Sequence, residues 1–136
     1  MNLRNLPDDI IRLIIPYTYE TQDKSLLQDI RHYVESRQKT LENYKKEFPE
    51  QNDAEDWFIN NIFLYSNLEQ ASMHGYVDNF YNIFHRNPNL KTRTQVLDYV
   101  RRLEEKPVES QINIFWALLT CVERDFIFRG FHLFHL

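Results

Sequence analysis

The side chains with the greatest capacity for chemistry are five histidines and a single cysteine. The histidines form neither an HExxH pair nor the spacing of a zinc finger, and no second cysteine completes a thiolate ligand set. His132 and His135 are three residues apart and could share a helical face, but surface or half-buried histidines are the simpler interpretation. Cys121 would need a base held close by, such as His74 or His85. We therefore predict a buried, inert cysteine, no metal site and no cofactor.

Paired carboxylates are the next candidates for acid–base chemistry. The pairs are Asp8-Asp9, Glu55-Asp56 and Glu104-Glu105. Adjacent residues on a helix do not face one another, so these pairs make poor catalytic dyads and fit helix starts or solvated faces better. The two glycines, Gly75 and Gly130, cannot supply a phosphate-binding loop or a nucleophile elbow. The sequence therefore predicts a protein that is not an enzyme and has no catalytic residue.

A basic stretch between residues 85 and 106 is the candidate for contacts with phosphate groups. Its possible phosphate contacts are Arg93, Arg101 and Arg102, with Tyr81 and Tyr99 nearby. The chain as a whole has 16 basic and 20 acidic side chains and a formal charge of −4, which offers no general attraction to nucleic acid. A solvated helix face explains the stretch more simply. We therefore rank a weak nucleic-acid binder third among the functional hypotheses and do not expect nucleic acid as a partner.

The elements that would position these side chains are all predicted to be helices. The 136 residues are 43% hydrophobic and 15% aromatic, which is typical of an ordered globular chain. From Lys24 to Phe48 the apolar residues, Leu27 among them, follow a helical spacing with Arg37 as a charged interruption. The helical pattern is interrupted at Pro49–Asn52, and Asp53 is a plausible N-cap for the next helix. We predict an all-α fold of about six to seven helices in a single domain, 1–136.

The second half of the chain carries clearer helix boundaries. A strongly apolar helix whose apolar residues run from Tyr76 to Phe84 is predicted to end before Asn87-Pro88, with its boundary near Gly75 left open. Capping boxes begin further helices at Thr92 and Thr120. Leu97 is assigned to the buried face of the helix that follows Thr92. The segment from Ile112 to Leu119 is the most apolar of all, so we expect it to form the central core helix.

The compartment is indicated by two negative features. A single cysteine excludes an intrachain disulfide and suits a reducing environment. No apolar run approaches the ~20 residues that a membrane-spanning helix requires. We therefore expect an intracellular protein with no membrane partner.

Two segments hold more apolar surface than any chemistry would use. Leu6 to Tyr19 reads LPDDIIRLIIPYTY, a helix apolar over most of its circumference that begins at Pro7 and stops at Pro16. The segment FIFRGFHLFHL, Phe126 to Leu136, is also largely apolar and must dock on its own core or on a partner. The residues predicted to bind partners are Leu6, Pro7, Ile10, Ile11, Ile14, Phe128, Phe131, Leu133, Phe134 and Leu136.

The first of these segments resembles the opening helix of an F-box. The matching positions are Leu6, Pro7, Asp9, Ile10 and Ile14. The resemblance implies that residues 1–48 dock on a Skp1-like adaptor that tethers substrates to a ubiquitin ligase, with 49–136 as a helical remainder. The PYTY sequence after Ile15 departs from the F-box pattern, as does the lack of a tryptophan between Asp23 and Phe48.

A longer pattern covers most of the chain. It consists of LPDDIIRLIIPYTYETQDKSLLQDI followed by VDNFYNIFHRNPNLKTRTQVLDYVRRLEEKPVESQINIFWALLT, and it is similar to a group of small uncharacterised proteins of giant nucleocytoplasmic DNA viruses. The resemblance implies a viral protein in the cytoplasm of an infected host cell or in the virion. Our first hypothesis is a non-enzymatic protein–protein interaction module, with an F-box-like adaptor as one form. The alternative is a virion structural or minor capsid-associated component, bound to virion proteins or to its own copies.

Overall fold

The computed structural model describes residues 24–50, 53–69 and 75–130. Within these ranges the chain forms six α-helices and no strand, so the predicted all-α fold is confirmed. The helices are α1 (Lys24–Glu47), α2 (Asp53–Ser66), α3 (Asp78–Phe84), α4 (Arg93–Glu104), α5 (Val108–Leu118) and α6 (Cys121–Phe128). Their buried apolar side chains belong to one core cluster.

Helix α1 matches the predicted helix to within one residue at its C-terminus and packs on both α2 and α5. Tyr44 stacks on Phe58 of α2 with ring centroids 5.3 Å apart. Arg37, the charged interruption in the apolar stripe, donates from Nε to the side-chain oxygen of Asn113 on α5 at 2.6 Å. The interruption therefore falls where α1 meets a polar group of its neighbour, and the helix continues through it.

Helix α5 contributes the largest fully buried side chain of the core, as its apolar sequence predicts. Phe115 and Trp116 have no exposed surface. Trp116 meets Phe58 edge-on at 5.1 Å, and Phe115 meets Phe84 of α3 at 4.9 Å. Trp116 Nε1 donates to Ser36 Oγ of α1 at 3.1 Å, which satisfies the indole N–H inside the core. Both rings therefore join α5 to the helices around it.

The predicted helix starts are confirmed at Thr92 and Thr120, where both capping boxes form. Helix α3 begins at Asp78, two residues after Tyr76, the first apolar residue of its predicted pattern. Val77 has extended backbone angles at the N-cap position of α3 (φ −83°, ψ 166°). The apolar residues at 76 and 77 therefore lie ahead of the helix, although they resemble its continuation in sequence.

Two residues assigned to buried helix faces lie at the surface instead. Leu27 is 40% exposed and Leu97 is 39% exposed. Helix α4 buries only the side that holds Val96, Val100 and Leu103, and Leu97 is turned about 100° away from Val96. Leu27 lies in the first turn of α1, ahead of Ile30, the first buried residue of that helix. The apolar residues in the sequence therefore predicted a wider buried face on α1 and α4 than the core covers.

Candidate interaction surface on helix α6

Helix α6 begins with a complete capping box. Thr120 Oγ1 accepts from the N–H of Glu123 at 3.2 Å, and Glu123 Oε1 accepts from the N–H of Thr120 at 2.8 Å. Two amides that would otherwise lack partners at the helix start are thereby satisfied. The helix is only eight residues long, so its position depends on tertiary contacts more than on intrinsic helix propensity.

A buried arginine fixes α6 to α1 and α5. Arg124 is 1% exposed, and its Nε donates to the carbonyl of Trp116 at 3.0 Å. Its Nη2 donates to the carbonyl of Ala117 at 3.4 Å, and its Nη1 donates to Asp29 Oδ1 at 2.9 Å and to the Asp29 carbonyl at 3.2 Å. The guanidinium thus donates hydrogen bonds to carbonyls at the C-terminal end of α5, where positive charge is favoured. Burial of this cation is offset by a carboxylate and three carbonyls.

Two further polar contacts surround Arg124 at the α1–α6 junction. His32 Nε2 lies 2.9 Å from Asp125 Oδ1, and the Cys121 thiol donates to Asp29 Oδ1 at 3.5 Å. Partial burial and the Asp29 carboxylate raise the pKa of Cys121. A raised pKa favours the thiol over the nucleophilic thiolate. The cysteine is half-buried rather than fully buried as predicted, and its surroundings favour the inert form.

The opposite flank of α6 is joined to the end of α3. Arg86 forms two hydrogen bonds to the Glu123 carboxylate, at 2.6 and 3.2 Å, and donates to the carbonyl of Leu118 at 2.8 Å. Burial alone would raise the pKa of Glu123, but the bonds from Arg86 and Thr120 outweigh it and lower that pKa. Glu123 therefore serves the capping box and the link between helices at once.

Between these two flanks α6 presents an apolar strip to solvent. Val122 and Phe126 are one helical turn apart and are 78% and 51% exposed. The Phe126 ring lies 5.6 Å from the ring of Tyr65 on α2. We call Val122, Phe126 and Tyr65 the α6 patch. Ile127, by contrast, is fully buried, so the core takes up one side of α6 and leaves the strip outside.

Leu68 reaches the surface through an unusual helix end. After α2 the N–H of Glu69 donates to the carbonyl of Leu64 at 2.6 Å, and the N–H of Leu68 donates to that of Tyr65 at 3.2 Å. This bonding pattern is a Schellman motif, which usually has glycine at the position of Leu68. Leu68 has φ 52° and is 60% exposed. A leucine in left-handed backbone presents its side chain to solvent at some conformational cost.

Most of the partner-binding residues predicted from the sequence lie outside the described part of the chain. These residues are Leu6, Pro7, Ile10, Ile11, Ile14, Phe131, Leu133, Phe134 and Leu136. Phe128 is described and is half-buried at the end of α6. The metal-site candidates His132 and His135 also lie outside. Within ranges 24–50, 53–69 and 75–130, no group of three or more His, Cys, Asp or Glu side chains could hold a metal ion.

The three arginines predicted to contact phosphate all lie on α4, and one of them is paired with a carboxylate. Arg93 pairs with Asp78 and lies 4.4 Å over the ring of Tyr81. Arg101 and Arg102 are exposed on α4 but point about 100° apart because they are adjacent in a helix. The geometry therefore favours separate roles for these side chains over a continuous phosphate-binding track.

Sequence reasoning missed the polar junction of Asp29, His32, Arg124 and Asp125. Asp29 and His32 are three residues apart on α1, as are Cys121 and Arg124 on α6, and this spacing would have placed each pair on one helix face. Nothing in either helix alone indicates that the two faces meet, since 92 to 95 residues separate the partners. Arg124 lies between Glu123 and Asp125 in the sequence, which gave no local sign of its burial.

In the described part of the chain, no helix combines the length and apolar character needed to cross a membrane. Comparisons of the chain with protein-family models, with curated proteins and with solved structures find no match.

Proposed function

We propose that this chain is a non-enzymatic protein–protein interaction module and that the α6 patch forms part of its binding surface. The observation that supports this is the exposure of Val122 and Phe126 on a helix whose other sides are firmly attached to the fold. Apolar side chains grouped at the surface are stabilised when a partner removes them from water. A rigid helix presenting them loses little conformational entropy on binding.

The patch alone is smaller than a typical stable interface, which buries about 1,600 Å² in total. In the sequence, further apolar residues at 131–136 follow α6 after Gly130. We infer that this continuation contributes to the same binding surface. Aromatic residues are enriched in interface cores, and both the patch and the continuation contain phenylalanine.

The partner is proposed from the resemblances of the sequence. The first form is a viral adaptor in the host cytoplasm whose Leu6, Pro7, Ile10, Ile11 and Ile14 bind a Skp1-like protein. The α6 patch would then bind a second protein, such as a substrate. The alternative form is a virion component whose patch binds a capsid-associated protein or another copy of the chain.

Site-specific photocrosslinking tests the surface directly. A photoreactive amino acid is placed at Val122, or at Leu97 as a control, because both are exposed apolar residues but lie on different helices. The full chain is then irradiated in the cells that produce it. We expect a discrete adduct from position 122 that is absent from position 97. An adduct of twice the chain mass would identify self-association.

The same experiment can also contradict the proposal. Identical adducts from both positions, or none from position 122, would contradict the proposal. Introducing Phe126→Glu beside the photoreactive residue should abolish the adduct, whereas Leu97→Glu should leave it unchanged. Circular dichroism of each variant establishes that the helices remain folded.

A further inference from the structure

A small cavity lies at the end of α4, and none of its described lining residues belongs to the α6 patch. Its volume is about 200 Å³, and its lining includes Tyr99, Arg102, Leu103 and Lys106. Leu103 is 1% exposed, so its side chain forms an apolar floor, while Arg102 and Lys106 are exposed cationic residues. Two cations beside an apolar and aromatic floor form an arrangement that suits an anionic group attached to a small hydrophobic body.

Within the described residues, the two cations of this cavity take part in no salt bridge. Among the described residues, the carboxylates within salt-bridge distance of a basic side chain pair with His32, Arg86, Arg93 or Arg124. Neither Arg102 nor Lys106 takes part. An unpaired guanidinium can offer two parallel N–H donors to a carboxylate or a phosphate.

The backbone at the end of α4 would by itself oppose an anion, since the last carbonyls of a helix carry partial negative charge. Gln111 reduces this effect. Its Nε2 donates to the carbonyl of Glu104 at 3.3 Å and to that of Lys106 at 2.8 Å. The carbonyl oxygens of Glu104 and Lys106 therefore accept hydrogen bonds from an amide of α5.

We propose that this cavity, lined by Tyr99, Arg102, Leu103 and Lys106, binds a small ligand that carries a phosphate monoester or carboxylate group on an aromatic or similarly apolar body. The anionic group lies between Arg102 and Lys106, and the apolar body contacts Tyr99 and Leu103. The inference is independent of the α6 patch. A volume near 200 Å³ admits a ligand about the size of a substituted benzene ring and excludes a polymer in the cavity itself.

Arg101 provides a matched control for the anionic part of the site. It is adjacent to Arg102 and exposed on the same helix, yet it does not line the cavity. Arg101→Ala and Arg102→Ala change the net charge of the chain equally, so general electrostatic attraction responds alike to both. If binding depends on the position of the guanidinium in the cavity, only Arg102→Ala should weaken it.

The test is a titration of the full chain followed by NMR, with phenyl phosphate, benzoate and the neutral analogue phenol as probes. We expect saturable shifts at Tyr99 and Leu103 with the two anions, and binding by phenol at least tenfold weaker. Arg102→Ala should weaken anion binding about tenfold or more, equivalent to about 1.4 kcal/mol, and Lys106→Ala should weaken it severalfold. Arg101→Ala should change it by less than about twofold.

Comparison of the two anions also shows which anionic group the cavity prefers. Tighter binding of phenyl phosphate would assign the site to phosphate monoesters, and tighter binding of benzoate would assign it to carboxylates. Equal losses for Arg101→Ala and Arg102→Ala would overturn the proposal, because they would indicate diffuse attraction. Phenol binding as tightly as the anions, or no saturable shift at the cavity, would overturn it as well.

Discussion

Replacing Arg124 with methionine tests how helix α6 is held in place. The substitution keeps a long apolar stem but removes a guanidinium that is 1% exposed and donates to Asp29, Trp116 and Ala117. Breaking a buried ion pair by removing one partner typically costs about 3–5 kcal/mol. That range is an upper bound here, because the Asp29 side chain is 45% exposed and can be rehydrated.

The remaining acceptors reduce the cost further. The Trp116 carbonyl also accepts from the N–H of Leu119 at 3.2 Å, so it keeps one hydrogen bond after the substitution. The Ala117 contact is long at 3.4 Å and contributes less. We therefore expect Arg124→Met to lower the free energy of unfolding by about 2–3 kcal/mol, the sum of weakened charge-assisted bonds and a half-exposed orphan carboxylate. This is a large share of the about 5–15 kcal/mol that stabilises a typical domain.

Urea unfolding of the full chain, followed by circular dichroism and tryptophan fluorescence, measures this loss. Asp29→Asn is the matched variant: it removes the carboxylate charge but leaves the three carbonyls, so it should cost less than Arg124→Met. The double variant should be less destabilised than the sum of the two by about 1 kcal/mol, since they share one contact. A loss below about 1 kcal/mol for Arg124→Met, or a larger loss for Asp29→Asn, would refute the view that Arg124 anchors α6.

Two further predictions concern single residues near the α6 patch. Leu68→Gly should raise the free energy of unfolding by about 0.5–1 kcal/mol in urea titrations, because φ 52° suits glycine better than leucine. Leu68→Ala keeps a side chain at that angle and should not raise it. A destabilised glycine variant would contradict the reasoning. Glu123 has a lower pKa in the folded state than in the unfolded chain. The unfolded chain therefore takes up protons first as the pH falls. The stability that the Glu123 carboxylate contributes above its unfolded pKa is lost as the pH falls through its folded pKa. Urea titrations between about pH 3 and 6 should show a weaker pH dependence for Glu123→Gln than for the unmodified chain, and equal slopes would disprove the contribution of Glu123.

The fold could be predicted from the sequence wherever the signal is local. Helical spacing placed α1 to within one residue, and the capping boxes at Thr92 and Thr120 gave the starts of α4 and α6. These features depend on residues three or four positions apart, which the sequence shows directly. The left-handed backbone at Leu68 could not be predicted, because leucine rarely adopts it.

The candidate site could be predicted only in part, because it depends on how helices distant in sequence pack. The apolar character of 126–136 pointed to α6, but the sequence could not show which side of that helix the core covers. Nor could it show that Asp29 and Arg124 meet, since 95 residues separate them. The cavity at the end of α4 uses Arg102, a residue the sequence grouped with Arg93 and Arg101, and only the helix geometry separates the three.

The two sides of α6 connect stability with the proposed function. Ile127 and Arg124 attach the helix to the core and to its neighbours, and Glu123 with Arg86 fixes its other flank. Val122 takes part in none of these contacts, whereas the Phe126 ring packs on Tyr65 and keeps about half of its surface exposed. A polar residue at position 122 would make the protein more soluble without removing any of these contacts. Exposed apolar surface on a helix that is held by other contacts therefore supports the proposed binding of a partner.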